Sequence, residues 1–271
     1  MIDEGRWLAL EGAVNARDLG RLPLAGGGTT ASGVLLRADN LQGLTAADVG
    51  KLVDELAVRL VVDLRTGIEV TLEGPGPLVR DGRPEIRHRS LYPETGERTD
   101  VDVEAVMPWI GRRDKHDGGE TAAVRSYLGY LRDRPDSVVD ALRDAAHADG
   151  ATIVHCAAGK DRTGIVCALA LAVAGATREA IVADYVATAE RIEPLIARLR
   201  RSPTYAEDLH HRPAGAFAPR PETMERVIEI LDDRYGGPLG WLKEAGFGAD
   251  DAAALRARLG GANADRLVTR G

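Results

Sequence analysis

An apolar run, Ala151–His155 (ATIVH), stops at a cysteine, crosses a few small residues and enters a second apolar run from about 162 to 174. The first run has the length of a strand and the second that of a helix. Residues 58–64 (VRLVVDL) repeat the strand signal and end in Asp-Leu-Arg. A nearly continuous apolar run of this kind suits a parallel strand buried on both faces, with its C-terminal end opening on a site. Residues 85–91 alternate and give another candidate strand, and residues 34–37 a short one. Helical patterns lie between them. Thr45 is placed to cap a helix whose apolar face is Val49, Leu52, Val53 and Leu56. Two more helices are expected at about 121–133 and 136–148, the second closed by Asp149-Gly150. Strands alternating with helices predict an α/β fold, a central and mostly parallel sheet flanked by helices.

Beyond residue 177 the pattern is all helical, with Pro221 well placed at the first position of a helix. Residues 93–120 are rich in Gly, Pro and charge. We expect one domain over residues 1–271, with a helical lid or insertion at about 93–133 and a helical C-terminal layer at about 177–271. At 44% apolar and 28% charged residues, the chain can build its core without disulfides or metal. The formal charge of −7 argues against general affinity for nucleic acid or anionic membranes, while leaving room for a local basic pocket. Neither a signal peptide nor a membrane span is expected from the apolar patterning. Two cysteines without a CxxC spacing exclude a secreted disulfide scaffold. The cytosol is the natural setting, with secretion independent of a signal peptide left open.

The chemistry concentrates in His155-Cys156-Ala157-Ala158-Gly159-Lys160-Asp161-Arg162-Thr163-Gly164. The strand delivers Cys156 to the sheet edge. Ala157, Ala158 and Gly159 let the backbone curl so that successive N–H groups converge, and such a nest binds an anion. A helix starting near Asp161 adds its positive end. Arg162 lies where its guanidinium can grip two phosphate oxygens. The same surroundings lower a thiol pKa, so Cys156 is expected as a thiolate placed for in-line attack on phosphorus. Cradle donors at residues 157–163, Lys160 and Thr163 included, would stabilise the transition-state charge. Thr163 is also placed to hydrogen-bond the thiolate. No cofactor and no metal are implied; His210-His211 lacks a third ligand at compatible spacing. Cys167 falls on the apolar helix face and is expected in the core. The arginines of residues 191–201 are expected to form a solvated face.

This segment resembles the signature of protein tyrosine and dual-specificity phosphatases, His-Cys, five residues, Arg, then Ser or Thr. Its fuller form, Gly-Lys-Asp-Arg-Thr-Gly, is similar to that of bacterial tyrosine phosphatases related to the mycobacterial tyrosine phosphatase B. Asn15-Ala16-Arg17-Asp18-Leu19-Gly20, Leu36-Arg37-Ala38-Asp39-Asn40-Leu41 and Val62-Asp63-Leu64-Arg65-Thr66 through Glu69 resemble further motifs of that group, in the same order. Tyr235-Gly236-Gly237, Trp241-Leu242 and Gly246 resemble its C-terminal helices. Ala16 stands in place of an aromatic residue and Ala38 in place of a serine. The resemblance implies a protein-tyrosine-phosphatase-like fold and hydrolysis of phosphate monoesters through a phosphocysteine. The substrate would be a phosphotyrosine protein, or else a phosphoinositide or small phosphorylated metabolite, with inorganic phosphate released in the site.

No Trp-Pro-Asp loop precedes Cys156, and Met107-Pro108-Trp109 lacks an acid at the matching place. Three sets of carboxylates compete to protonate the leaving group. Asp161, within the cradle, is implicated by the resemblance; Asp63 ends a buried strand, where ligands gather; Asp114 and Asp117 lie in the expected lid, beside Arg112 and Arg113. The order of preference is Asp161, then Asp63, then the lid pair, with a structural ion pair to Arg65 or Arg37 as the competing role for Asp63. The resemblance gives Lys160 a second phosphate to bind, or the acid to hold. The rival class is a catalytically weak phosphate-binding or redox-sensing module.

Overall fold

The computed structural model describes residues 4–93, 120–202, 204–209 and 213–260. Five strands form one sheet: β1 (Arg17–Asp18), β2 (Leu35–Ala38), β3 (Val58–Asp63), β4 (Glu85–His88) and β5 (Ala151–His155). Their order is β1-β2-β5-β3-β4, with β1 antiparallel to β2 and every other pairing parallel. The sheet is therefore mostly parallel and flanked by helices, as the apolar runs predict. β5 is central and buried along its whole length, so Cys156 emerges mid-sheet at the C-terminal edge. Register puts Ala38 of β2 and Asp63 of β3 level with His155.

Alternate residues of β2, β3 and β5 feed two different cores, as the two-residue period of a strand requires. Leu35, Val62 and Val154 face one cluster; Leu36, Val61 and Ile153 face the other. The smaller core is closed by α1 (Ala46–Gly50), continued by a π turn at Lys51–Glu55. Thr45 caps α1 in a reciprocal box with Asp48. Two short helices follow β3: α2 (Gly67–Glu73), which opens on a second such box between Thr66 and Glu69, and α3 (Pro77–Asp81). The sequence reading missed both.

The larger core is filled by α4 (Ala122–Asp133), α5 (Pro135–Ala146), α6 (Asp161–Ala174) and α7 (Arg178–Val186). Around these pack α10 (Pro221–Tyr235), α11 (Pro238–Glu244) and α12 (Ala249–Leu259). α6 is apolar and buried nearly all round, the signature of a central helix. α8 (Ile192–Leu199) and the short α9 (Ala206–Leu209) form a third cluster against Ala157. Part of the expected lid needs correction. Val124, Tyr127, Tyr130 and Leu131 are buried in the larger core, so residues 122–133 form a core helix. The remainder of that stretch, 94–119, lies outside the described residues, and with it Asp114, Asp117, Arg112 and Arg113. His210 and His211 also lie outside them.

Candidate active site

Cys156 leaves β5 buried, at 2% exposure, and the loop behind it is fixed through its carbonyl groups. The Ala157 oxygen accepts from the Asn40 backbone N–H at 2.9 Å, and the Ala158 oxygen from Asn15 Nδ2 at 2.8 Å. The Gly159 oxygen accepts from Arg37 Nη2 at 2.6 Å and from Asn15 Nδ2 at 3.2 Å. All three acceptors are therefore turned toward β2 and the N-terminal segment. In a trans peptide the N–H points opposite to the C=O, and none of these bonds is cis. The N–H groups of Ala158, Gly159 and Lys160 are thereby directed to the opposite side, as an anion nest requires. Gly159 makes the turn possible. Its φ is +63°, and a Cβ there would overlap the Ala38 carbonyl. α6 begins at Asp161 with no side-chain cap from Lys160, so its positive end joins the same site.

Arg162, 2% exposed, donates to both oxygens of Glu69, at 2.5 and 2.9 Å, and to the Leu64 carbonyl at 3.3 Å. The guanidinium carbon also lies 5.6 Å from the centre of the Tyr92 ring. Glu69 accepts in addition from the Thr66 N–H at 2.8 Å and from Tyr205 Oη at 2.9 Å. Burial opposes both charges, but each outweighs that cost for the other: Glu69 is held below the usual carboxylate range and Arg162 well above the usual guanidinium range.

A second buried network braces the loop. Asp184 of α7 pairs with Arg6, with Arg17 at 3.1 Å and with Arg37 at 2.6 Å. Arg17 Nη1 also donates to Asn15 Oδ1 at 2.6 Å, which orients the amide that holds the loop. Burial and the neighbouring Arg37 charge lower Arg17 to about 10; at Arg37 burial is outweighed by Asp184, and its pKa is raised.

Asp63 is enclosed. Its oxygens accept from Arg65 Nε at 2.9 and 3.1 Å, from Arg65 Nη2 at 2.6 Å and from the Arg65 N–H at 3.0 Å. His155 Nε2 lies 3.6 Å away. Burial raises the Asp63 pKa, but His155 and Arg65 outweigh it and hold the carboxyl far below its usual range. His155 itself is pushed down to about 4 by burial, and its Nδ1 meets the Cys156 carbonyl at 3.3 Å. This geometry is the structural pair with Arg65, the competing role that the sequence leaves to Asp63.

Asp161 is different. Its side chain is 28% exposed, and Oδ1 accepts from Tyr127 Oη at 2.5 Å, with Lys160 Nζ 3.7 Å away. Lys160 donates instead to the Phe217 carbonyl at 2.7 Å. Thr163 is buried, and its hydroxyl has no hydrogen-bond partner among the described residues. Cys167 is fully buried in the core, and burial pushes its thiol up to about 12. The solvated face expected for 191–201 fails at Arg198, which reaches Asp39 at 2.5 Å and the Asn40 carbonyl at 2.7 Å. Asn15 and Glu69 stood in motifs without a role, Arg37 was weighed only as a partner of Asp63 and pairs with Asp184 instead, and the capping-box spacing of Thr66 and Glu69 was a usable signal. For Tyr127 and Asp184 the sequence offered none.

Residues 8–261 match the model of the tyrosine phosphatase family. A tyrosine-protein phosphatase of Nostoc commune is 31% identical over 233 residues, 79% of this chain and 72% of that protein. The triple specificity protein phosphatase PtpB of Mycobacterium tuberculosis is 29% identical over 268 residues, 88% of this chain and 93% of that protein. A putative tyrosine-protein phosphatase of Cupriavidus necator is 27% identical over 194 residues, 68% of this chain and 63% of that protein.

Proposed function

The chain belongs to the tyrosine phosphatase family of phosphoric monoester hydrolases, and from that premise we propose that it cleaves phosphotyrosine in proteins through a phosphocysteine at Cys156. The observation that carries this reading is the loop whose three carbonyls are tied away from the side on which an anion would sit. Sγ of Cys156, as thiolate, attacks phosphorus, and the P–O bond to the leaving group breaks. The departing oxygen takes its proton from Asp161. Water then attacks the phosphocysteine, giving a proton to Asp161, and the P–S bond breaks to release inorganic phosphate and the thiolate. The backbone donors of residues 157–163 and the Arg162 guanidinium stabilise the equatorial oxygens. The Thr163 hydroxyl supports the leaving thiolate. Asp63 keeps Arg65 and His155 in place and takes no proton step. Lys160 is spent on the Phe217 carbonyl and the flank of Asp161, which favours holding the acid over binding a second phosphate.

We read residues 1–271 as one phosphatase domain, supported by the family match over residues 8–261. A cytoplasmic setting fits a thiolate that must stay reduced. Among the described residues no helix is long and apolar enough to cross a membrane.

The test is a substrate panel of aryl phosphate, phosphotyrosine peptide, phosphoserine peptide and phosphoinositide, run on the wild type and on Cys156→Ser. Phosphotyrosine is expected to lead the panel, and Cys156→Ser to abolish turnover while retaining phosphate binding. Substantial turnover by a clean Cys156→Ser preparation would overturn the mechanism. A preference for phosphoinositide would overturn the substrate assignment alone.

A further inference from the structure

Four tyrosines gather on the flank of the site. Tyr127 and Tyr130 come from α4, Tyr185 from α7 and Tyr92 from the segment after β4, and all four are buried. Tyr127 Oη lies 2.5 Å from Asp161 Oδ1 and 2.8 Å from Tyr185 Oη. Tyr92 Oη and Tyr130 Oη pair separately at 2.9 Å.

The proton count fixes the direction of the first chain. A phenol has one hydrogen to donate, and Oδ1 of a carboxylate, or of a carboxyl protonated on Oδ2, can only accept. Tyr127 therefore gives its hydrogen to Asp161, and Tyr185 must be the donor to Tyr127. The result is a one-way relay, Tyr185 to Tyr127 to Asp161 Oδ1. A phenol already accepting a hydrogen bond is a stronger donor, so Tyr185 reinforces the second link. The burial that raises the pKa of both phenols keeps them protonated as donors.

The backbone makes room for this relay. A Cβ on Gly164 would stand 3.2 and 3.4 Å from two carbons of the Tyr185 ring. The glycine that closes the Lys-Asp-Arg-Thr-Gly segment thus lets the Tyr185 ring lie against the first turn of α6, where Asp161 begins.

We infer that Tyr127, backed by Tyr185, is the positioning residue of the proton donor: it occupies Oδ1 of Asp161, so that the proton delivered to the leaving group is carried on Oδ2. This rests on the assignment of Asp161 as the acid. A carboxyl free to rotate would present its proton on either oxygen, and a carboxyl pinned at one oxygen presents it in one place. Proton transfer needs hydrogen-bond reach and alignment, and a misplacement of the order of 1 Å costs about a hundredfold.

The experiment compares full-length wild type with Tyr127→Phe, Tyr185→Phe and Asp161→Asn, using p-nitrophenyl phosphate as a good leaving group and an alkyl phosphate as a poor one. Tyr127→Phe is expected to slow the alkyl ester about ten- to hundredfold and the nitrophenyl ester by less than about threefold. Tyr185→Phe should give the same pattern at smaller amplitude, and it carries the test if Tyr127→Phe fails to fold. Equal slowing of both esters would reduce the tyrosines to packing and overturn the inference, while Asp161→Asn still showed its leaving-group dependence. An Asp161→Asn variant without that dependence would overturn the acid assignment first, and the inference with it.

Discussion

Arg162 has both terminal nitrogens bonded to Glu69 and its face near Tyr92, so the plane of its guanidinium is fixed before any substrate arrives. A planar group held at one edge presents its other donors in a set direction, and an ammonium on a flexible stem cannot. Arg162→Lys is therefore expected to lose nearly as much kcat/KM as Arg162→Ala, on the order of a hundredfold or more. A lysine variant that kept most of the wild-type rate would show that a point charge suffices. Glu69→Gln tests the holder. It leaves a buried guanidinium facing a neutral amide, a change that costs roughly 3 kcal/mol of stability. The denaturant midpoint should fall, and kcat should fall with it, because the grip loses its orientation. A midpoint shift without loss of rate in the folded variant would make Glu69 a scaffold residue only. Asp63 stands in contrast. Both its oxygens are spent on Arg65, so Asp63→Asn should lower stability and slow good and poor leaving groups by the same factor.

At the scale of elements, the loop after β5 takes its shape from its neighbours. Asn40 follows β2, Arg37 lies within it, and Asn15 precedes β1; between them they hold the carbonyls of three consecutive loop residues. Gly159 is the residue that allows the fit. Gly159→Ala places a β-carbon on the Ala38 carbonyl at a positive φ, which costs about 1–2 kcal/mol for the backbone before the overlap is counted. Activity should drop by about a hundredfold or more, through displacement of the loop. Gly175→Ala is the matched control. Its φ is +84°, but no atom stands within 4 Å of the added carbon, so stability should fall by about 1 kcal/mol with kcat unchanged. Equal activity loss in both variants would refute the account of Gly159. These elements differ in how far the sequence disclosed them. β3, β5 and α6 were legible because their burial is nearly complete, and apolar runs record burial directly. The curl of the loop after Cys156 was legible because its small residues are contiguous in the chain. α2 and α3 were not, since they are only a turn or two long and have mixed polarity. Asp184 and Tyr127 were not, because they reach the site only through packing of α7 and α4, which no local pattern encodes.

Over the whole molecule, a chain of formal charge −7 keeps several arginines buried around one edge of its sheet. Arg6, Arg17 and Arg37 share Asp184, Arg65 holds Asp63, and Arg162 holds Glu69. The first group carries more positive than negative charge, and the surplus lies behind the loop that Arg37 touches. A local positive surplus of this kind suits the anion site proposed for the loop in spite of the acidic balance of the chain, and the buried charges predict how the fold fails in acid. His155 has a folded-state pKa of about 4, against about 6.5 for an exposed histidine. As pH falls below about 6.5, the unfolded chain takes up a proton there that the folded chain refuses. Stability is therefore complete above about 6.5 and is lost progressively down to about 4, by about 3 kcal/mol. Asp63, Asp184 and Glu69 act further down, since their folded-state pKa values lie below those of the unfolded carboxylates. Their contribution is whole above about pH 4 and is lost as pH falls through the depressed values. Urea unfolding followed between about pH 8 and pH 3 should thus show two declines, a shallow one from about 6.5 and a steep one below about 4. His155→Asn should flatten the first and leave the part of the second that Asp184 and Glu69 carry. A wild type whose stability stays level from pH 7 to pH 4.5, or an asparagine variant that keeps the full upper decline, would show that His155 is not held neutral by burial and that the acid response begins with the carboxylates alone.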